Sequence, residues 1–169
     1  MDISVLNQYF TQYGAIVVFV IVLLEYMNLP GFPAGVIMPL AGIWASRGGI
    51  NFLTAILLSV LAGLTGSLIL YFVGRLGGNL LLDKYLVKHP KQKAVFDKAM
   101  EKVNRGGYIG LFIAKLIPML RTVISIPAGV IKMDLARYIL FSTMGILLWN
   151  LFFVGAGYLF GETVFQYFM

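Results

Sequence analysis

Two apolar stretches of this sequence, about 29–47 and about 108–131, are interrupted by residues that break helices. Proline removes a backbone donor and kinks a helix, and glycine weakens one. Neither stretch is therefore predicted to form a single straight helix. The breakers in the first stretch are Pro30, Gly31, Pro33, Gly35, Pro39 and Gly42, and those in the second are Gly110, Pro118, Pro127 and Gly129.

The composition places these stretches in a lipid bilayer. Hydrophobic residues make up 60% of the 169 residues and charged residues only 12%, whereas a soluble domain is roughly 45–50% apolar and about 25% charged. A membrane-spanning helix needs about 20 apolar residues. The segments 14–29, 50–74 and 135–160 are predicted to provide three such helices.

In lipid, backbone groups freed by a helix break cost several kcal/mol each unless protein or water satisfies them. The two broken stretches are therefore predicted to be re-entrant helical hairpins that are buried in protein and line a cavity. Two kinked full spans are the alternative. The expected fold is an all-α polytopic membrane protein, a single domain over residues 1–169, with three transmembrane helices and two opposed re-entrant hairpins.

Positive charge is concentrated between the second span and the second broken stretch. Residues 75–105 contain eight Lys or Arg and three acids, so they carry +5 of the formal net charge of +6. This clustering next to apolar segments is typical of a cytoplasmic loop under the positive-inside rule, and it argues against nucleic acid as a partner. The expected location is a bacterial inner membrane, crossed several times, with residues 75–107 in the cytoplasm.

The basic loop is predicted to contain an amphipathic helix. Phe96, Met100 and Val103 recur at helical spacing, with Ala99 beside them and lysines over much of the remaining surface. Such a helix suits the cytoplasmic surface of the membrane. A solvated helix that packs its apolar face on the protein itself is the alternative.

A shift of 87 residues aligns the two halves of the chain, which predicts an internal repeat. Ala-Gly-Ile at 41–43 then falls on Ala-Gly-Val at 128–130, and Tyr-x-x-Gly at 71–74 falls on Tyr-x-x-Gly at 158–161. The repeats are 29–74 and 108–161. If each hairpin returns to its starting side, the repeats are inverted, with the N-terminus inside and the C-terminus outside. Inverted repeats with discontinuous helices are a recurring design of transporters.

Three ionisable residues are expected at membrane depth, where charge is expensive and usually functional. Glu25, near the end of the first span, is predicted to be a counter-ion for a basic partner or a proton-exchanging carboxylate, because burial favours the neutral carboxyl group. A carboxylate at the membrane interface is the alternative for Glu25.

Lys115 and Arg121 flank Pro118, and a break there can turn both side chains into one cavity. Arginine offers a planar fork for bidentate phosphate, and lysine offers a compact charge. A site for the phosphate of a headgroup is therefore predicted. The alternative is that both cations extend to the cytoplasmic interface.

The remaining marked residues are assigned structural roles. Hairpin tips and close helix approach are predicted to depend on Pro30, Pro33, Gly35, Pro118, Pro127 and Gly129. Trp44 and Trp149 are more typical of packing or interfacial anchoring than of ligand contact. The sequence shows no P-loop, no nucleophile–base pair and no cysteine. We therefore expect no enzyme activity, no cofactor and no metal site.

Several motifs, taken in their order and spacing, resemble the DedA family, which comprises the bacterial members of the SNARE-associated or VTT superfamily. The matching pieces are Glu25-x-x-x-x-Pro30-x-x-Pro33, Tyr71-x-x-Gly74-Arg75-x-x-Gly78, Pro118-x-x-Arg121, Ala128-Gly129 with Met133, Trp149, and Gly157-Tyr158-x-x-Gly161. The resemblance covers about residues 14–161. It implies two facing re-entrant hairpins and movement of phosphate-bearing lipids between leaflets, such as undecaprenyl phosphate or phosphatidylethanolamine, with proton coupling suggested for some members.

The resemblance also implies roles for individual residues. The family's membrane-embedded acid matches Glu25, and its basic pair matches Lys115 and Arg121, although members often have Arg where Lys115 stands. Many members have a second acid just after the proline motif, and none follows it here. This departure weakens a proton relay between two carboxylates.

The leading interpretation is a lipid flippase or scramblase whose partners are membrane lipids with anionic or phosphate headgroups. A proton- or cation-coupled transporter of small solutes and a non-transporting membrane assembly factor are the alternatives. A homodimer is left open, and nucleic acid is not expected as a partner.

Overall fold

The structure, a computed structural model, describes residues 3–27, 37–47, 49–88 and 90–168, with side chains described within 14–27, 37–47, 49–77 and 93–161. Regular structure in these ranges is entirely helical, which confirms the all-α expectation for them. The helices are α1 (Ile3–Tyr26), α2 (Ile37–Ser46), α3 (Phe52–Lys88), α4 (Pro90–Lys115), α5 (Leu120–Val123), α6 (Ser125–Val130) and α7 (Leu135–Phe168).

Two helical segments in the described part are long and apolar enough to cross a membrane, judged by length and composition. They are Phe52–Gly77 in α3 and Leu135–Gly161 in α7, and they coincide with the second and third predicted spans. The first predicted span gives a shorter apolar helix, Gly14–Tyr26. The predicted tip of the first hairpin, with Pro30, Pro33 and Gly35, lies outside the described residues.

The segment predicted as a basic loop is largely helical. α3 continues to Lys88, and α4 begins at Pro90, where the missing N–H of proline costs nothing because the first turn has no acceptor for it. No proline interrupts residues 75–88, and their leucines and lysines are good helix formers. The sequence therefore located the polar part of the chain and the helix around residues 96–103, but it did not predict that α3 continues to Lys88.

α4 reverses direction at Gly107, whose φ of 52° and ψ of −130° form a conformation that favours glycine. Beyond the reversal, a Cβ added at Gly110 would lie 2.1 Å from the carbonyl oxygen of Lys102. Ala99 and Val103 are buried in a hydrophobic core cluster. The apolar face of the amphipathic helix thus packs on the protein itself, which is the second of the two interpretations given above.

The second broken stretch folds as a helical hairpin. Its first arm is the end of α4, and the chain turns through residues 116–119 after Lys115. Pro118 interrupts the helix there, and Met119 adopts a positive φ of 67°. α5 and α6 then pack against α4.

Each half of the chain packs a short helix on the long helix of the other half. α2 packs on α7, and a Cβ at Gly42 would lie 2.1 Å from the carbonyl oxygen of Val154. α6 packs on α3, and a Cβ at Gly129 would lie 2.0 Å from the carbonyl oxygen of Tyr71. Small residues allow backbones to approach this closely. The two Ala-Gly motifs therefore make equivalent contacts.

Candidate functional site

A buried ion pair joins α1 to the second hairpin. Glu25 lies at the end of α1 and Arg121 lies in α5. Nη2 of Arg121 donates to Oε1 of Glu25, and both side chains are 1% exposed. The break at Pro118 ends α4 and allows a new helix, α5, to start at Leu120. Arg121 therefore lies in α5, and its side chain is buried in the interior.

Two aromatic rings enclose the guanidinium of Arg121. Its Cζ atom lies 4.5 Å from the centre of the Tyr26 ring and 5.0 Å from the centre of the Trp149 ring. Cation–π contacts of this kind are worth about 2 kcal/mol or more when they are desolvated. They hold the guanidinium in place through contacts with the two ring faces.

Hydrogen bonds fix Tyr26 in this position. Its hydroxyl donates to Oδ1 of Asn150 at 2.9 Å, and Nδ2 of Asn150 donates to Oγ of Ser59 at 3.1 Å. Ser59 in turn donates to the carbonyl of Ile56 at 2.9 Å. This network ties α1, α3 and α7 together beside Arg121.

Lys115 lies in a second polar cluster, which is made of hydroxyl groups. Its Nζ donates to Oγ of Ser67 at 2.8 Å and to Oγ of Ser125 at 3.0 Å. The hydroxyl of Tyr138 donates to the carbonyl of Ser67 at 3.0 Å. These partners are neutral, so they solvate the charge of Lys115 but do not cancel it.

The described interior is short of negative charge. Its buried charged side chains are Glu25, Lys115 and Arg121, so two cations face one carboxylate. Nε and Nη1 of Arg121 are buried and have no hydrogen-bond partner among the described residues. Charged donors without acceptors are costly in a buried site. The arrangement can therefore accept an anion that presents several oxygens.

The three ionisable residues predicted for the site are all buried. A cation that extended to the membrane interface would be exposed, and neither Lys115 nor Arg121 is exposed. Arg121 and Lys115 bond to different partners. Of the predicted hairpin residues, Pro118 lies in the turn between α4 and α5, and Pro127 and Gly129 are buried in α6.

The neutral side chains of both clusters were not predicted from the sequence. They are Tyr26, Ser59, Ser67, Ser125, Tyr138 and Asn150. Asn150 carried a usable signal, because an amide within an apolar span is costly unless it is hydrogen-bonded. The serines carried none, since single hydroxyl groups are common at helix contacts in membranes.

An open groove of about 470 Å³ lies on the surface of α4. Its lining combines the cations Lys98, Lys102 and Arg105 with apolar residues such as Ile109 and Ile113. The groove does not include Glu25, Lys115 or Arg121 among its lining residues. It is therefore separate from the buried ion pair.

Buried ionisable side chains beside helices of spanning length are typical of an integral membrane protein with an internal polar site. The family model described as the VTT domain matches residues 29–159, which is more than half of the chain. The chain therefore belongs to the VTT-domain family, and the resemblance to DedA proteins is confirmed.

Several curated relatives are similar over most of the chain. It is 29% identical over 151 residues to undecaprenyl phosphate transporter A of Staphylococcus aureus, a match that covers 87% of this chain and 74% of the relative. The protein of the same name in Bacillus subtilis is 31% identical over 125 residues, which cover 74% and 63%. An alkaline phosphatase-like protein of Lactococcus lactis is 31% identical over 165 residues, which cover 94% and 76%. No solved structure matches the chain.

Proposed function

We propose that this protein moves a lipid with a phosphate headgroup between the two leaflets of the membrane, as a flippase or scramblase. The observation that carries the proposal is the buried guanidinium of Arg121, two of whose nitrogens have no described hydrogen-bond partner. Two relatives are named undecaprenyl phosphate transporter. Undecaprenyl phosphate is therefore the first cargo to test, and phosphatidylethanolamine the second.

In this mechanism the headgroup enters between the helices and pairs with Arg121, because the planar guanidinium fork matches two phosphate oxygens. Lys115, in the same hairpin, adds a second positive charge. In the absence of lipid, Glu25 neutralises Arg121, since a buried unpaired charge would cost several kcal/mol. The prenyl or acyl tail stays in the hydrocarbon of the bilayer throughout.

Glu25 is also the candidate for proton coupling. When phosphate displaces the carboxylate from Arg121, Glu25 loses its cationic partner in this buried site. Uptake of one proton by Glu25 would offset one negative charge brought by the phosphate. Release of the proton towards the other side of the membrane would couple lipid movement to a proton gradient.

The proposed architecture around this site has three transmembrane helices and two re-entrant hairpins that enter from opposite faces, in inverted repeats 29–74 and 108–161. The packing of α2 on α7 through Gly42 and of α6 on α3 through Gly129 supports a repeat. In this topology the N-terminus and residues 75–107 are cytoplasmic, and the membrane is a bacterial inner membrane.

Reconstitution into proteoliposomes tests the proposal. We expect the purified protein to accelerate exchange between leaflets of labelled undecaprenyl phosphate or phosphatidylethanolamine over protein-free vesicles, and a proton gradient to change the rate. No acceleration of either lipid would contradict the proposal. Solute-driven currents without lipid exchange would instead favour a coupled transporter of small solutes, and a stable partner complex without transport would favour an assembly factor.

A further inference from the structure

Trp149 buries an indole N–H for which the described part of the chain offers no acceptor. The residue is 9% exposed, and its Nε1 has no hydrogen-bond partner among the residues that the structure describes. The indole nitrogen can only donate, and a buried Trp N–H usually finds an acceptor. The group is therefore costly to bury unless a ligand accepts its hydrogen bond.

The indole ring of Trp149 lies against the guanidinium of Arg121. The guanidinium Cζ is 5.0 Å from the centre of the Trp149 ring. Nε and Nη1 of Arg121 also lack partners in the described part of the chain. An N–H···O bond is about 2.9 Å long, and the oxygens of a phosphate group point in several directions. One phosphate group can therefore reach both residues.

The indole is held in place by its neighbours. Asn150, the next residue, bonds to both Tyr26 and Ser59, which fixes this turn of α7. The ring of Phe153 packs against the indole with ring centres 4.5 Å apart. The direction of the N–H is therefore set by the fold before any ligand arrives.

Unlike the indole N–H of Trp149, the ammonium group of Lys115 already has hydrogen-bond acceptors. It donates to Ser67 and Ser125, so a headgroup that bound there would have to share or replace those hydrogen bonds. The indole N–H of Trp149 makes no such bond to any described residue.

We propose that the indole N–H of Trp149 binds the phosphate headgroup together with Arg121. This assignment rests on the proposed function, because the ligand is the same phosphate-headed lipid. Arg121 supplies the charge, and Trp149 supplies a neutral donor of fixed direction. The pair presents only donors, so it recognises phosphate oxygens and not an ammonium group.

The Trp149→Phe variant tests the assignment, because it keeps an aromatic face for Arg121 and removes the N–H. We expect the concentration of undecaprenyl phosphate that half-saturates transport to rise about ten-fold, as for the loss of a hydrogen bond to a charged group, with a smaller effect on the maximal rate. Trp44→Phe removes the only other indole of the sequence. It is the matched control and should leave half-saturation unchanged.

Tryptophan fluorescence tests the assignment in protein that retains Trp149. If Trp149 had only a structural role, its emission would not depend on the phosphate of the lipid. In the Trp44→Phe protein, Trp149 is the sole tryptophan. We expect its emission to change when undecaprenyl phosphate is added but not when undecaprenol, which lacks the phosphate, is added. The same response to both lipids, or no response to either, would overturn the assignment.

The two proposals fail separately. If Trp149→Phe half-saturates like the wild type while Arg121→Gln does not transport, the role of Trp149 is refuted and the proposed function stands. If the wild-type protein moves neither phosphate lipid, the proposed function itself is refuted.

Discussion

At the scale of single residues, the energetics of the site are dominated by the cost of removing charge from water. Burying an ion pair costs several kcal/mol per ion, and attraction between the partners offsets this only when the geometry and the additional contacts are good. Arg121 meets this condition through Glu25 and the rings of Tyr26 and Trp149. The pair is therefore more sensitive to the loss of one partner than to the loss of both.

Replacing Glu25 by alanine is expected to lower the free energy of unfolding by about 3–5 kcal/mol, because Arg121 would become a buried charge without its counter-ion. The double variant Glu25→Ala with Arg121→Leu should recover much of this loss. Thermal unfolding of the purified protein in detergent measures both effects. A double variant no more stable than Glu25→Ala alone would show that the pair is not the source of the loss.

At the scale of helices, local chemistry decides where elements begin and end, and close contacts decide how they pack. The second and third spans and the break at Pro118 could be predicted, because hydropathy and proline act locally. The reversal of α4 at Gly107 could not, because it depends on the packing of the two arms of α4 against each other. Because of the same reversal, the apolar face around Val103 is buried against the rest of the protein.

The contact of α6 with α3 gives a prediction at this scale. A Cβ at Gly129 would lie 2.0 Å from the carbonyl oxygen of Tyr71, so Gly129→Ala must push the helices apart and should destabilise the protein by about 1–3 kcal/mol.

Gly155→Ala is the matched control for this substitution. Nothing lies within 4 Å of a Cβ at this position in α7, and alanine favours a helix over glycine by about 1 kcal/mol. Melting temperatures should therefore fall for Gly129→Ala and be unchanged or rise for Gly155→Ala. A change of the same sign and size in both would contradict close packing at Gly129.

At the scale of the whole molecule, the site is an assembly that the sequence reveals only in part. Glu25, Lys115 and Arg121 could be selected because ionisable residues at membrane depth are rare and usually functional. The pairing of Glu25 with Arg121, 96 positions away, depends on how distant helices pack. No local pattern encodes that packing, and for the same reason the contact of Trp149 with Arg121 could not be predicted.

The topology can be tested because the sequence contains no cysteine. Arg105 and Arg137 flank the second hairpin and are both exposed. If the hairpin is re-entrant, Arg105→Cys and Arg137→Cys should both react with a membrane-impermeant maleimide from the cytoplasmic side. Labelling from opposite sides would mean that the stretch between them crosses the membrane completely.

In the proposed function, the buried guanidinium of Arg121 binds the phosphate headgroup during its passage between leaflets. The most direct measurement compares Arg121→Gln with Arg105→Gln for exchange of labelled undecaprenyl phosphate in proteoliposomes. Arg105 is the matched control, because its side chain is 82% exposed. Loss of one partner of a buried charge pair costs about 2–5 kcal/mol, so we predict a rate about 100-fold lower for Arg121→Gln and an unchanged rate for Arg105→Gln. A folded Arg121→Gln protein that exchanges the lipid at the wild-type rate would contradict the claim.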